Sequence, residues 1–265
     1  MMNILVPIGT STNANETLQY AVDFAQEFGA EIYVMEVFNV SGKTGTLTNV
    51  TQKVADNSKE RLKEVIGTVN TKDVTIKIAS FNGELKDGLK EIDKSIGIDL
   101  IILAPRSNDI QEENYLGQTS GAIIKRTNIP TLIVPKGTTY KSFENILVAF
   151  KSGILKRKRI LDPLIEIKNK HKANVNLLMV KTPGYSDDDL KINTALMDIS
   201  SQLTFTENST TYHGVLEHFQ AKHPDLLCVF RRKRGFFKKL WEKSTISKTE
   251  FYAPVPVLVL SVKKD

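Results

Sequence analysis

One cysteine among 265 residues, Cys228, excludes an intrachain disulfide and fits a reducing compartment. It lies in the apolar run 226–230, which reads as a buried structural thiol rather than a nucleophile. Only four histidines occur, His171, His213, His218 and His223. The last three are five apart, so they do not share a helix face as i, i+4 zinc ligands do. There is no GxxxxGK[ST] phosphate loop, no GxSxG elbow and no Ser-His-Asp pairing with a local signature. No apolar run approaches the ~18 residues of a membrane helix. The opening, MMNILVPIGTST, has no charged leader region and enters a strand-like run at once. The expectation from these absences is a cytoplasmic chain without catalytic machinery.

What is present is ordinary for a globular protein: 41% apolar and 25% charged residues. Charge, however, is uneven. Residues 1–140 hold 14 Lys and Arg against 17 Asp and Glu, while residues 141–265 hold 22 against 13. The halves carry net charges of −3 and +9, so the second is the one that would meet an anionic partner.

Apolar runs and helical periodicities alternate along the chain. The expected strands are 3–7, 31–38, 74–79, 100–103 and 131–134. Between them, 16–28, 54–69 and 85–96 have helical spacing, and Gly29 and Gly97 stand where C-cap glycines belong. Residues 40–51 read as a polar loop. After a short polar linker the pattern restarts. Asn145-Ile-Leu-Val148 repeats Asn3-Ile-Leu-Val6, Asp225-Leu-Leu repeats Asp99-Leu-Ile, and Pro256-Val-Leu-Val repeats Pro130-Thr-Leu-Ile. The first pair is offset by 142 residues and the other two by 126, so the second copy is 16 residues shorter in its middle. In that copy helices are expected over 154–170, 187–203 and 212–222, with strands over 175–180 and 203–206. The reading is two tandem α/β domains, 1–138 and 143–265, each built on a parallel sheet.

Residues 99–135 organise the first copy as strand, long loop, helix, strand. Two parallel strands need a crossover, and the loop after the first of them opens at the carboxyl edge of the sheet. Ligands of such sheets bind there, against a helix N-terminus. The loop from Ala104 to Thr119 is therefore the candidate site, and its length also favours a functional role.

This stretch resembles the C-terminal half of a universal stress protein domain. That family carries Gly, two residues, Gly, nine residues, Gly, then Ser or Thr, a nucleotide-binding pattern. The same spacing falls here on Ala104, Ser107, Gly117 and Gln118, with Thr119 a hydroxyl one place late. The resemblance covers nearly the whole chain, once per half. It implies two five-stranded parallel-sheet sandwich domains of strand order 3-2-1-4-5 and a stress-adaptation or signalling role. It also implies an adenine nucleotide, Mg-ATP, bound by the first half through Pro7, Gly9, Val37, Ala104, Ser107, Gly117, Gln118 and Thr119. The family's Asp after the first strand is replaced by Gly9 in one copy and by Lys151 in the other. In the second copy the loop frame falls on Phe230, Lys233, Lys243 and Ser244, without a glycine.

Residues 231–243, RRKRGFFKKLWEK, hold seven cations and one Glu between Arg231 and Lys243. Three readings stay open here: Phe236, Phe237 and Trp241 plug a vacant cleft, the segment docks an anionic partner or protein, or it touches membrane or nucleic acid. The last strand of each copy should lie at a sheet edge, so the copies are expected to pair with each other as a pseudo-dimer. A homodimer of whole chains is a further option. The alternative to nucleotide binding is a ligand-free module whose basic second half docks a partner; a slow ATPase is the third reading.

Overall fold

The computed structural model describes residues 1–8, 13–38, 47–105, 114–155, 158–231, 246–247 and 251–262. The first half runs β1 (Asn3–Pro7), α1 (Ala14–Phe28), β2 (Glu31–Phe38), α2 (Leu47–Gly67), β3 (Ile76–Asn82), α3 (Leu85–Ile96), β4 (Leu100–Leu103), β5 (Asn114–Leu116), α4 (Gln118–Arg126) and β6 (Thr131–Ile133). The second runs β7 (Asn145–Phe150), α5 (Asp162–His171), β8 (Asn174–Lys181), α6 (Thr194–Ile199), β9 (Gln202–Glu207), α7 (Thr211–Lys222), β10 (Leu226–Arg231), β11 (Ile246–Ser247) and β12 (Val257–Ser261).

Ten strands form one sheet in the order β3-β2-β1-β4-β6-β12-β10-β7-β8-β9. Every pairing in it is parallel except β6 with β12, at the centre, where Val257, Leu258 and Val259 face Ile133, Leu132 and Thr131. The fold is thus α/β with a mostly parallel sheet. Helices cover both faces, so β4 and β10 are buried at every residue, which is why they read as unbroken apolar runs. Two apolar layers, one per face, each draw residues from both halves. Cys228 is buried in β10, and burial pushes its thiol pKa up, away from thiolate chemistry.

The repeated dipeptides acquire a physical reason. Asp99 accepts the backbone N–H groups of Met2 and Asn3 at 2.7 and 3.1 Å. Asp225 does the same for Glu144 and Asn145, both at 3.0 Å. In each half a carboxylate at the start of one strand thereby ties down the start of its neighbour.

Several element bounds differ from expectation. The strand expected from residue 74 starts at Ile76, because Lys72 and Asp73 take positive φ and Val74 N–H closes the turn onto Thr71 O. α2 takes in residues 47–51, expected as loop. The helix expected over 154–170 begins at Asp162, since Pro163 is tolerated only in a first turn. The helix expected over 187–203 is broken into a 3₁₀ turn, Asp187–Leu190, and the six-residue α6. Between them Ile192 forms a bridge with Gly153, so close that a Cβ on Gly153 would lie 2.8 Å from the Ile192 Cα. The 16 missing residues are therefore missing from the counterpart of the 21-residue α2.

That difference changes one buried position. Glu36 is 7% exposed; Ser58 on α2 donates to its Oε2 at 2.6 Å and Arg61 pairs with Oε1. Strand registers place Met179, buried and apolar, at the equivalent point of the second half. Glu36→Ala is expected to cost about 1–3 kcal/mol by leaving the Ser58 hydroxyl unpaired and a void. Glu36→Met should recover the part of that loss that comes from the void, since its side chain has similar length, while the Ser58 hydroxyl stays unpaired. Urea unfolding of the two variants checks this; equal losses would mean that the ion pair itself is needed.

The connection between the halves is also anchored. Tyr140 donates to Glu27 on α1 at 2.6 Å and lies 3.0 Å from His171 Nε2 at the end of α5. Phe143 N–H donates to His171 Nδ1 at 3.1 Å, so that nitrogen is an acceptor. Burial lowers the His171 pKa, with Glu27 partly offsetting it.

Candidate functional site

The sheet order reverses between β1 and β4: β2 and β3 lie on one side of that junction, β6 on the other. A crevice at such a switch point, outside the carboxyl ends of the strands, is where open α/β sheets bind ligands. Strand ends converge there. Ile8 N–H, just past Pro7, donates to Met35 O at 2.8 Å, and Val134 N–H donates to Leu103 O at 2.9 Å.

The structure brings six of the eight expected residues to this edge. Pro7 ends β1 and pairs with Met35 of β2. Val37, half-buried, follows two residues later on the same face of β2. Ala104 follows β4 and also lines a crevice of about 10 Å³ with Asn13, Glu16 and Thr17 of the α1 region and residues 134–136 and 138. Gly117 is the N-cap of α4, and Gln118 and Thr119 are its exposed first two residues. Gly9 and Ser107 lie outside the described residues.

Gly117 is extended, with φ −77° and ψ 170°, a conformation open to any residue. Its N–H donates to Pro105 O at 2.9 Å and is thus spent inside the protein. The donors that remain are those of the first turn of α4, which has no side-chain cap. Ser120 is a residue that the spacing rule missed. It is buried, and its hydroxyl donates to Ala104 O at 2.8 Å, tying the helix start to the end of β4. A serine in the first turn of a helix carries no sequence signal of such a bond. β5 was missed for a similar reason: three residues are too few to show alternation.

In the second half the arrangement differs. Phe230 is buried against Phe150 with ring centroids 6.4 Å apart. Lys233, Lys243 and Ser244 lie outside the described residues, as does nearly all of 231–243, including Phe236, Phe237 and Trp241. Among the described residues there is no helix between β11 and β12. Phe251 fills that region, fully buried, with ring centroids 5.1 Å from both Tyr115 and Tyr212. Tyr212 donates its hydroxyl to Tyr252 O and accepts Tyr252 N–H, at 3.0 and 2.9 Å. Tyr115 is buried, and burial pushes its phenol pKa up, with Tyr212 and Tyr252 adding to the effect. Arg231, the first cation of the basic segment, does not face solvent: it is 4% exposed, with four hydrogen bonds to residues of α4, the residues after it, and β12. It completes β10, and its neighbours supply enough carbonyls to hold a buried guanidinium.

A mostly parallel sheet covered by helices on both faces defines an α/β protein. The chain belongs to the universal stress protein family, whose sequence model matches residues 1–135. Universal stress protein MJ0531 of Methanocaldococcus jannaschii is 25% identical over 138 residues, 50% of this chain and 81% of that one. A universal stress protein structure from Archaeoglobus fulgidus superimposes with a TM-score of 0.73 at 17% identity and covers 98% of both chains. The protein PA1789 of Pseudomonas aeruginosa, described as functionally unknown, gives a TM-score of 0.60 at 13% identity over 99% of this chain and 93% of that one. At these identities the two structures speak for the fold alone. Among the described residues no helix is long and apolar enough to cross a membrane.

Proposed function

We infer that this is a non-enzymatic, cytoplasmic stress-response protein whose first half, residues 1–138, holds an adenine nucleotide at the β1–β4 switch point. The second half, 143–265, is its degenerate partner. The observation that carries the reading is the N-terminus of α4: a helix start with no side-chain cap, at the carboxyl edge of a parallel sheet. Unpaired N–H groups and the positive end of the helix dipole suit a phosphate. Gln118, Thr119 and Ser120 would supply those amides, since the Gly117 N–H is engaged. Pro7 and Val37 offer apolar surface to the base. Bound Mg-ATP would add a multiply charged phosphate chain that the helix end neutralises.

The family's acidic residue for the nucleoside is a glycine here, so binding is expected to be weaker than that of a site with the carboxylate. Titration of the stripped protein with Mg-ATP, after mass spectrometry of the small molecules released on denaturation, tests the reading. Micromolar binding at one site per chain is the expected result. No released nucleotide and no binding at millimolar ATP would overturn it. The reading favoured by the +9 charge of the second half is a ligand-free module that docks an anionic partner; Arg231 is not available to such a surface.

A further inference from the structure

We propose that Arg231, on the second half, is a positioning residue for the candidate nucleotide loop of the first half. The inference rests on the nucleotide reading above and extends it: the second half holds both ends of the unit formed by β5 and α4.

The C-terminal end comes first. α1, α3, α5 and α7 each end on a left-handed residue, Gly29, Gly97, Lys172 and His223, whose N–H returns to the helix. α4 does not. Its C-cap, Thr127, is extended at φ −108° and ψ 157°. The last carbonyls of such a helix need partners from elsewhere. Arg231 supplies them from far along the chain: Nη1 donates to Lys125 O, 106 residues away, at 3.0 Å, and Nη2 donates to Thr127 O, 104 residues away. Nη2 also lies 3.1 Å from Asn128 Oδ1 and 2.8 Å from Ser261 Oγ, and the Ser261 hydroxyl donates to Asn128 at 3.0 Å. A buried fork of donors is thus fixed on a helix end, where a cation is also favoured by the dipole.

The other end is held as well. β5 leads directly into Gly117 and pairs antiparallel with β11, Leu116 opposite Ile246, both fully buried. Tyr115 packs on Phe251. The nine-residue α4 is too short to be stable alone, where about 12–15 residues are needed. Its order, and with it the direction of the amides at Gln118 to Ser120, depends on these outside contacts.

The effect is positional rather than a direct attraction of phosphate. Nine residues span about 14 Å of helix, well beyond the ~8 Å screening length at physiological salt. Arg231 therefore acts on the ligand through the helix.

The test uses the full chain with Arg231→Met and Arg231→Lys, at a temperature where circular dichroism shows all three proteins folded. Two quantities are read: amide hydrogen exchange over residues 117–121 without ligand, and the dissociation constant for Mg-ATP. In Arg231→Met, exchange over 117–121 should accelerate while β7 and β8 amides stay protected, and the dissociation constant should rise about tenfold, a usual size for coupling between sites. Arg231→Lys should recover part of both, since an ammonium replaces the charge but not the planar fork. Unchanged exchange and affinity in Arg231→Met would overturn the proposal, as would acceleration spread evenly over the chain. If the wild type binds no ATP yet Arg231→Met still loosens 117–121, the nucleotide reading fails and the positioning of the loop stands. If the wild type binds and Arg231→Met binds equally well, the reverse holds.

Discussion

Phe251→Ala is expected to lower the unfolding free energy by about 3–5 kcal/mol, the usual cost of emptying a buried aromatic site. The ring is fully buried and touches both Tyr115 of the first half and Tyr212 of the second. Removing it takes away two ring contacts and opens a void bordered by Tyr115 and Tyr212. Little can collapse into it, because Tyr212 is held by a pair of hydrogen bonds to the Tyr252 backbone. Whole domains are stable by only about 5–15 kcal/mol, so the loss is a large fraction. Urea unfolding measures it, with amide exchange at Tyr115 and Leu116 as a local check on the β5–β11 pairing. Phe251→Leu should lose much less. A loss below about 1 kcal/mol for the alanine variant would show that the site relaxes and that the cluster does not bind the halves.

Thr119→Glu is expected to weaken Mg-ATP binding at least tenfold while leaving the fold as stable as before or slightly more so. The two effects have opposite signs for one reason. Thr119 is exposed in the first turn of α4. A carboxylate there interacts favourably with the helix dipole, by about 0.3–1 kcal/mol. The same carboxylate sits where a phosphate would bind and repels it; at ~4 Å, two like charges near a protein surface oppose each other by several kcal/mol before screening. Calorimetric titration and a thermal melt of one preparation read both. Unchanged affinity would remove the phosphate from the start of α4. A fall in both affinity and melting temperature would mean that the substitution had simply disturbed the helix.

How legible the site was depends on the kind of signal each residue carries. Gly117, Gln118 and Thr119 could be placed because a fixed spacing follows an apolar strand and precedes a helical period. Ser120 could not, because its hydroxyl answers a carbonyl 16 positions back. Arg231 is the first of seven cations in one short segment; only its neighbours in space show that it is buried. Phe251 is a fully buried aromatic that no motif singled out, while Phe236, Phe237 and Trp241 lie outside the described residues. Nothing local distinguishes one Phe from another.

By itself the sequence determined the alternation of strand and helix, the parallel character of the buried strands, and the repeat, shortened by 16 residues, that makes the chain two α/β halves. These follow from periodicity and burial, which act over a few neighbouring residues. It also determined Asp99 and Asp225 as matching positions, although not what they bind. Tertiary structure alone decided that Glu36 needs α2 above it while Met179 does not, and that α4 is finished by an arginine from the other half. Those outcomes depend on which groups lack a hydrogen-bond or packing partner once the strands are laid side by side. No window of sequence contains both the orphan carbonyls of α4 and the guanidinium that satisfies them.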